Sequence, residues 1–194
     1  MNFFKKLFNI PIKEDKEIQK QEVDLSLDDL FVHNFVEKGG KFLYCIEESE
    51  ILNNLNNILQ ENSWNQITLL SKDLSSYFDE KQVKISTDFV ADVPVFSNCE
   101  HLIADNGNIL FSSNQLKSIK LCNMPSNFIV FAKTSQLVKN MGQGLTGIKI
   151  HYKGNLPTNI SAIKNYGIDK SDDNFLNYGN SNSKNLYLLL LEDL

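Results

Sequence analysis

His101-Leu102-Ile103-Ala104-Asp105-Asn106-Gly107-Asn108-Ile109-Leu110-Phe111-Ser112-Ser113 places two apolar runs on either side of an Asn-Gly pair. Asn-Gly accepts the positive φ of a tight hairpin turn, and apolar flanks make it the strongest short hairpin signal. The spacing predicts strands over residues 100–104 and 108–113, with Gly107 as the turn glycine.

Outward from this hairpin the pattern changes. Ser26 with Asp29 resembles a capping box, followed by Leu27, Leu30, Phe31, Val32 and Phe35 at helical spacing and Gly39-Gly40 as a stop. A strand is expected over 41–46, a helix over 47–60, a strand over 67–70, a short helix over 71–79 and a strand over 82–85. Residues 93–97 read as a further strand, 127–132 as a buried strand, 135–141 as a helix and 148–152 as a weak strand. Residues 169–185, rich in Asp, Asn, Ser and Gly, read as a loop. The chain then runs Leu186-Tyr187-Leu188-Leu189-Leu190-Leu191, which suits a central strand covered on both faces. Helices alternating with strands at both ends, and a hairpin between, predict an α/β protein. Its expected form is α/β layers with a mostly parallel sheet and an antiparallel hairpin. Ligands of such sheets bind beyond the carboxyl ends of the strands, at a switch point. The expected core comprises Leu43, Ile46, Leu55, Leu69, Ile103, Ile109, Phe111, Ile129, Phe131, Leu188 and Leu190.

The 194 residues suit one domain over 26–194 behind a flexible N-terminal tail over 1–25. In that tail Phe3, Phe4, Leu7, Phe8 and Ile10 form an apolar cluster, and residues 13–22 are nearly all charged or Gln. The cluster suits a short amphipathic helix that docks on the domain, on a partner or weakly on a membrane. The net charge is −5, and every basic residue is Lys. The chain therefore has neither the basic footprint of a nucleic-acid binder nor a guanidinium fork for carboxylates or phosphates. The three cysteines, Cys45, Cys99 and Cys122, form no CxxC pair, so no Fe–S cluster, structural zinc or other cofactor is expected, and a reducing cytoplasm suits them. His33, His101 and His151 are isolated, and no metal site is expected. No apolar run reaches the roughly 18–20 residues of a membrane span.

The hairpin segment resembles the signature of the LUD (lactate-utilisation) domain family, which typically shows Ala, an acidic residue, a Thr-Gly-Thr turn, an apolar strand and a small hydroxyl residue. Here the acid is Asp105, the turn glycine Gly107, the strand 109–111 and the hydroxyls Ser112 and Ser113. Asn106 and Asn108 replace the two threonines. The apolar strands at 128–131 and 186–191 follow in the family order. A later family stretch, Gly-Pro-Ser-x-Thr-x-Asp-Ile, has its nearest match in Gly154-Asn155-Leu156-Pro157-Thr158-Asn159-Ile160. A Gly-x-His-Gly-Pro approach to the last strand is reduced to Tyr178-Gly179-Asn180. The resemblance implies a layered α/β/α sandwich similar to the fold of sugar-phosphate isomerases and CoA transferases. It also implies a role in the oxidation of lactate to pyruvate beside partner subunits that carry the Fe–S clusters.

The candidate ligand-binding residues are Asp105, Gly107, Asn108, Ser112, Ser113, Gly144, Thr146, Gly147 and Thr158. Asp105 suits either a turn-former bonding its own backbone or a pocket wall. Gly142-Gln143-Gly144-Leu145-Thr146-Gly147 reads as a loop that turns the chain, with N–H groups that could form a nest for an anion; its position after a helix is the reverse of a dinucleotide fingerprint. The hairpin turn, Ser112, Ser113 and this loop are expected to share one crevice holding a small carboxylate or phosphate. The weak catalytic candidates are Glu100, as a covalent carboxylate, and Asp105. Three functions stay open: a lactate-utilisation accessory, a stand-alone isomerase or CoA transferase, and a non-catalytic interaction domain.

Overall fold

The computed structural model describes residues 25–78, 83–117, 119–167 and 182–194. The tail expected over 1–25 lies outside them except for Leu25. So do Tyr178-Gly179-Asn180 and most of the loop expected over 169–185.

Helix α1 (Leu27–Glu37) starts where the Ser26 side chain accepts from the Asp29 N–H, the predicted cap. Then follow β1 (Lys41–Cys45), α2 (Glu48–Glu61), β2 (Gln66–Leu69), a 3₁₀ turn (Lys72–Tyr77), β3 (Lys84–Ser86) and β4 (Val95–Asn98). The hairpin forms as β5 (His101–Ile103) and β6 (Asn108–Ser112), and the one-turn helix α3 (Ser113–Leu116) follows at once. The chain continues through β7 (Asn127–Lys133), β8 (Leu137–Val138), α4 (Met141–Tyr152), β9 (Ile160–Ile163) and β10 (Asn185–Leu191).

Six strands form one wholly parallel sheet in the order β1-β10-β7-β4-β2-β3. The expected central strand is there: β10 lies between β1 and β7, and Leu186, Leu188, Leu189 and Leu190 are all fully buried. The hairpin does not extend this sheet. It forms a second, mixed sheet, β8-β5-β6-β9, in which β5 and β8 are parallel and β6 runs against both β5 and β9. The protein is thus α/β with two sheets.

Three apolar clusters define the layers. One face of the parallel sheet packs Ile67, Phe96, Ile129 and Leu189 against Ile51, Leu55 and Ile58 of α2. Its other face packs Val95, Phe128, Val130 and Leu188 against Phe31 and Phe35 of α1 and against Leu102, Ile109 and Phe111 of the second sheet. Ile103 and Leu110, on the far side of the second sheet, meet Ile148 of α4.

Three expectations fail here. The predicted helix over 135–141 is a 3₁₀ turn (Thr134–Gln136) followed by β8, and the predicted glycine loop and strand over 142–152 are the single helix α4. The glycines suggested a break because each costs about 1 kcal/mol in a helix interior relative to alanine. Packing offsets that cost. A Cβ on Gly144 would lie 3.1 Å from Ile103 Cδ1, and one on Gly147 would lie 2.6 Å from His101 Nε2, so glycine lets α4 settle closely on the sheet. Ile46, assigned to the core, lies just past the end of β1 and is 65% exposed. Leu43 is half-buried, and the other nine expected core residues are buried.

Candidate functional site

The hairpin turn is clamped beneath α1. Gly107 has φ 62° and ψ 20°, the left-handed conformation expected of it. Asn34 Nδ2 donates to the Ala104 carbonyl at 2.8 Å, and Lys38 Nζ donates to the Asn106 carbonyl at 2.5 Å and to Asn108 Oδ1 at 3.3 Å. The Tyr166 hydroxyl donates to the Gly107 carbonyl. The turn is closed by Asn106, whose Oδ1 accepts from the Asn108 N–H at 3.1 Å. This is the local bond the sequence had suggested for Asp105. Asp105 instead gives its N–H to the Lys139 carbonyl and leaves its side chain exposed.

At the other end of the hairpin the side chains converge on Glu100. Glu100 Oε1 accepts from Ser112 Oγ at 2.5 Å, Gln115 Nε2 at 2.9 Å and the Tyr152 hydroxyl at 3.0 Å. Oε2 has a longer contact with Tyr152, at 3.3 Å. Each donor is held by its own element. Ser112 is the N-cap of α3, and Gln115, three residues on, returns its Oε1 to the Ser112 N–H at 2.7 Å. This capping box turns the Gln115 amide toward Glu100. Tyr152 is the last residue of α4. Burial is the main reason its hydroxyl titrates above the ordinary tyrosine value; the polar neighbour Asn114 works the other way, and the Glu100 charge adds to the rise. The hydroxyl therefore stays protonated and donates near neutral pH.

Glu100 also sits where the two sheets join. It lies two residues past β4, and the Gln136 side chain, past the end of β7, donates to the backbone carbonyls of Cys99 at 2.6 Å and Glu100 at 3.2 Å. The carboxyl ends of parallel strands are where α/β sheets place their ligands. Asn98, the last residue of β4, has a buried Oδ1 without a hydrogen-bond partner among the described residues.

The candidate residues therefore divide into two groups. Glu100, Ser112 and Ser113 lie at one end of β6, joined by Thr158, whose N–H donates to Ser113 Oγ at 3.0 Å. Asp105, Gly107 and Asn108 lie at the other end, about 13 Å away for four strand steps. The single shared crevice does not form. Gly144, Thr146 and Gly147 belong to α4, where the Gly144 N–H is bonded to the Asn140 carbonyl and Thr146 Oγ1 to the Gly142 carbonyl, so this segment is no loop nest. Gln115, Tyr152 and Asn114 escaped the sequence reading. The Ser112-x-x-Gln115 spacing was visible as a capping box, whereas Tyr152 was hidden by the strand expected over 148–152.

His33 and His151 are exposed, and His101 Nδ1 lies 3.2 Å from the Gln136 carbonyl. Among the described residues no three His, Cys, Asp or Glu side chains gather as a metal site. No helix there is long and apolar enough to cross a membrane.

The LUD domain model matches residues 66–191, well over half of the sequence. The chain belongs to the LUD domain family. This stretch contains β2 to β10 and all of the Glu100 cluster. The structure is also similar to the crystal structure of a DUF162 family protein from Deinococcus radiodurans. The match has a TM-score of 0.59 and 11% identity, and it covers 87% of this chain and 99% of that one, a likeness of fold. No curated protein matches the sequence.

Proposed function

We propose that this LUD-domain protein is a ligand-binding component of the utilisation of lactate or another 2-hydroxy acid. In this role it carries no Fe–S cluster or other cofactor and works beside partner subunits that do carry clusters. The observation that supports the reading is the Glu100 carboxylate, held by three donors at the carboxyl ends of β4 and β7. Oε1 is occupied, and Oε2 keeps capacity to accept a proton donor. A ligand hydroxyl suits that position better than an anionic group, which the carboxylate would repel. A 2-hydroxy acid would place its hydroxyl on Glu100 and its carboxylate away from it, toward Ser113 and Thr158. The free thiols Cys45, Cys99 and Cys122 support a reducing, cytoplasmic setting.

Calorimetric titration with lactate and with other small 2-hydroxy acids tests the ligand. Binding is expected for the native protein and a loss of about tenfold or more for Glu100→Gln, which removes a charge-assisted hydrogen bond. Equal affinity for Glu100→Gln would remove Glu100 from the site. Recovery of an Fe–S protein with the tagged chain, and slower growth on lactate after deletion of its gene, test the pathway.

The same carboxylate favours a second reading, a stand-alone enzyme. The resemblance to isomerase and CoA-transferase folds would make Glu100 Oε2 the nucleophile on the thioester carbon of an acyl-CoA, forming an acyl–glutamyl anhydride as the C–S bond breaks and the CoA thiolate leaves. A covalent adduct trapped from acyl-CoA donors in the native protein and absent from Glu100→Gln would favour it. No turnover of acyl-CoA donors or phosphosugars would remove it.

A further inference from the structure

The two edges of the parallel sheet are built differently. At one edge β3 has only three residues, Lys84, Ile85 and Ser86, and is blunt and polar. At the other, β1 has five, Lys41-Phe42-Leu43-Tyr44-Cys45, without proline, and pairs only with β10 among the described residues. Edge strands invite pairing, and proteins normally blunt them with short length, charge or proline, or else cover them. Here Tyr44 is 44% exposed and Ile46 65% exposed.

The backbone of this edge is complementary to itself. The Cys45 carbonyl accepts the Glu192 N–H, so Cys45 turns its peptide groups toward β10. Alternation along the strand turns those of Leu43 the same way and those of Phe42 and Tyr44 outward. The next outward N–H, that of Ile46, is taken by Glu50 Oε2 at 2.7 Å, which ends the open stretch. That stretch is centred on Leu43. A two-fold axis there sets Phe42 opposite Tyr44 and Tyr44 opposite Phe42, as the hydrogen-bonded pairs of an antiparallel ladder.

Side chains and charges follow the same symmetry. Phe42 and Tyr44 share one face of the sheet, with ring centroids 6.3 Å apart. Leu43 lies on the other face, with α2, beside a cavity of about 290 Å³ lined in part by Asn54, Asn57 and Glu61. Lys41 stands at the amino end of β1, its Nζ 2.9 Å from the Tyr187 hydroxyl. Glu47, Glu50 and Glu192 stand at the carboxyl end. An antiparallel copy brings each Lys41 to the acidic end of the other strand, whereas a parallel one would set like charges together.

We propose that β1 pairs antiparallel with β1 of a second copy of this chain, about a two-fold axis at Leu43, and joins two parallel sheets into one continuous sheet. Phe42 and Tyr44 exchange backbone hydrogen bonds with Tyr44 and Phe42 of the partner subunit. Leu43 meets its symmetry mate beside the cavity, and Lys41 faces Glu47, Glu50 and Glu192 of the partner subunit. Symmetry thereby closes an edge that would otherwise recruit foreign strands.

Sedimentation and amide hydrogen exchange on the full-length protein test this. A dimer is expected, with the Phe42 and Tyr44 amides protected and exchanging faster as dilution yields monomer. Tyr44→Pro removes an outward N–H that β10 does not use, a change that edge strands tolerate. It should raise the dimer Kd about tenfold or more while the circular dichroism spectrum stays native. Tyr44→Lys leaves the backbone unaltered, sets a charge against Phe42 of the partner subunit and should weaken the dimer as well. Lys41→Glu should weaken it most at low salt. A monomer at every concentration would overturn the proposal, and so would a dimer that Tyr44→Pro and Tyr44→Lys both leave unchanged. A monomer with protected Phe42 and Tyr44 amides would overturn it too, since the edge would then be covered within a single chain.

Discussion

Gly107→Ala separates two reasons for the glycine at the hairpin turn. The first is conformational: at φ 62° a residue with a Cβ costs about 1–2 kcal/mol. The second is contact with α1. A Cβ on Gly107 would stand 2.5 Å from the Phe35 backbone nitrogen and 2.6 Å from the Asn34 carbonyl carbon. These are backbone atoms of a helix pinned by the buried Phe31 and Phe35, so no side-chain tip can swing away. Turn and helix must part, which loosens the Asn34 and Lys38 hydrogen bonds and adds about 1–3 kcal/mol. Alanine restricts the unfolded chain and returns about 0.4–1 kcal/mol. The net loss is about 1–5 kcal/mol, a large share of the roughly 5–15 kcal/mol typical of a domain. It corresponds to a melting point lower by about 2–20 °C. Gly154→Ala is the control: Gly154 has φ 96°, and a Cβ there would meet nothing within 4 Å, so only the conformational cost applies. Equilibrium urea unfolding of both variants gives the difference. If Gly107→Ala loses no more stability than Gly154→Ala, α1 does not hold the turn and the clamp described for residues 104–108 is wrong.

Gly144→Val should lower stability by about 1–3 kcal/mol in urea unfolding, because its branches would meet Ile103, Leu110 and Val138. It should also weaken ligand binding if the seat of α4 positions Tyr152. Stability should fall as pH rises above about 9–10, because burial pushes the Cys99 thiol and the Tyr166 hydroxyl up while their unfolded counterparts ionise near about 8.5 and 10. The native state then binds more protons than the unfolded state, and Tyr166→Phe should make the decline measured in alkaline urea melts shallower. Asp193 behaves oppositely. Burial, the largest single influence, raises its pKa, but hydrogen bonds from Ser135 and Thr134 and the Lys133 charge together outweigh it and hold the carboxyl below its ordinary value. Its contribution is present above the unfolded pKa of about 3.9 and is lost as pH falls through the lower folded value, so Asp193→Asn should flatten that part of the acid denaturation curve.

Legibility followed the range of the interactions. Gly107, the Ser26 cap and the β10 strand are local matters of φ, capping and apolar run length, and all three could be read from a few neighbouring residues. Helix α4 could not. Its three glycines argue against a helix locally, and the reason for two of them, Gly144 and Gly147, lies on β5, β6 and β8, distant in sequence. Ile46 looked like core because it continues an apolar run, but nothing in that run reveals that β1 is the last strand of its sheet. The LUD resemblance rested on the hairpin and two apolar strands, which are packing features, and family membership extends across the whole of β2 to β10.

The site divided because sequence proximity was taken for spatial proximity along a strand that carries its residues apart. Asp105 and Ser112 are seven positions apart in one motif but lie at opposite ends of β6. Glu100 and Ser112 are farther apart in sequence, yet the antiparallel register that pairs His101 with Leu110 returns them to the same end. The third partner, Tyr152, arrives only because α4 crosses the second sheet from Lys139, beside Asp105, to Glu100. The segment from Lys139 through α4 thus touches both ends of the hairpin. Its glycines set how close it lies, and the reach of Tyr152 to the carboxylate depends on that depth. The glycine segment expected to hold a ligand directly therefore bears on the candidate site by positioning a residue that touches Glu100.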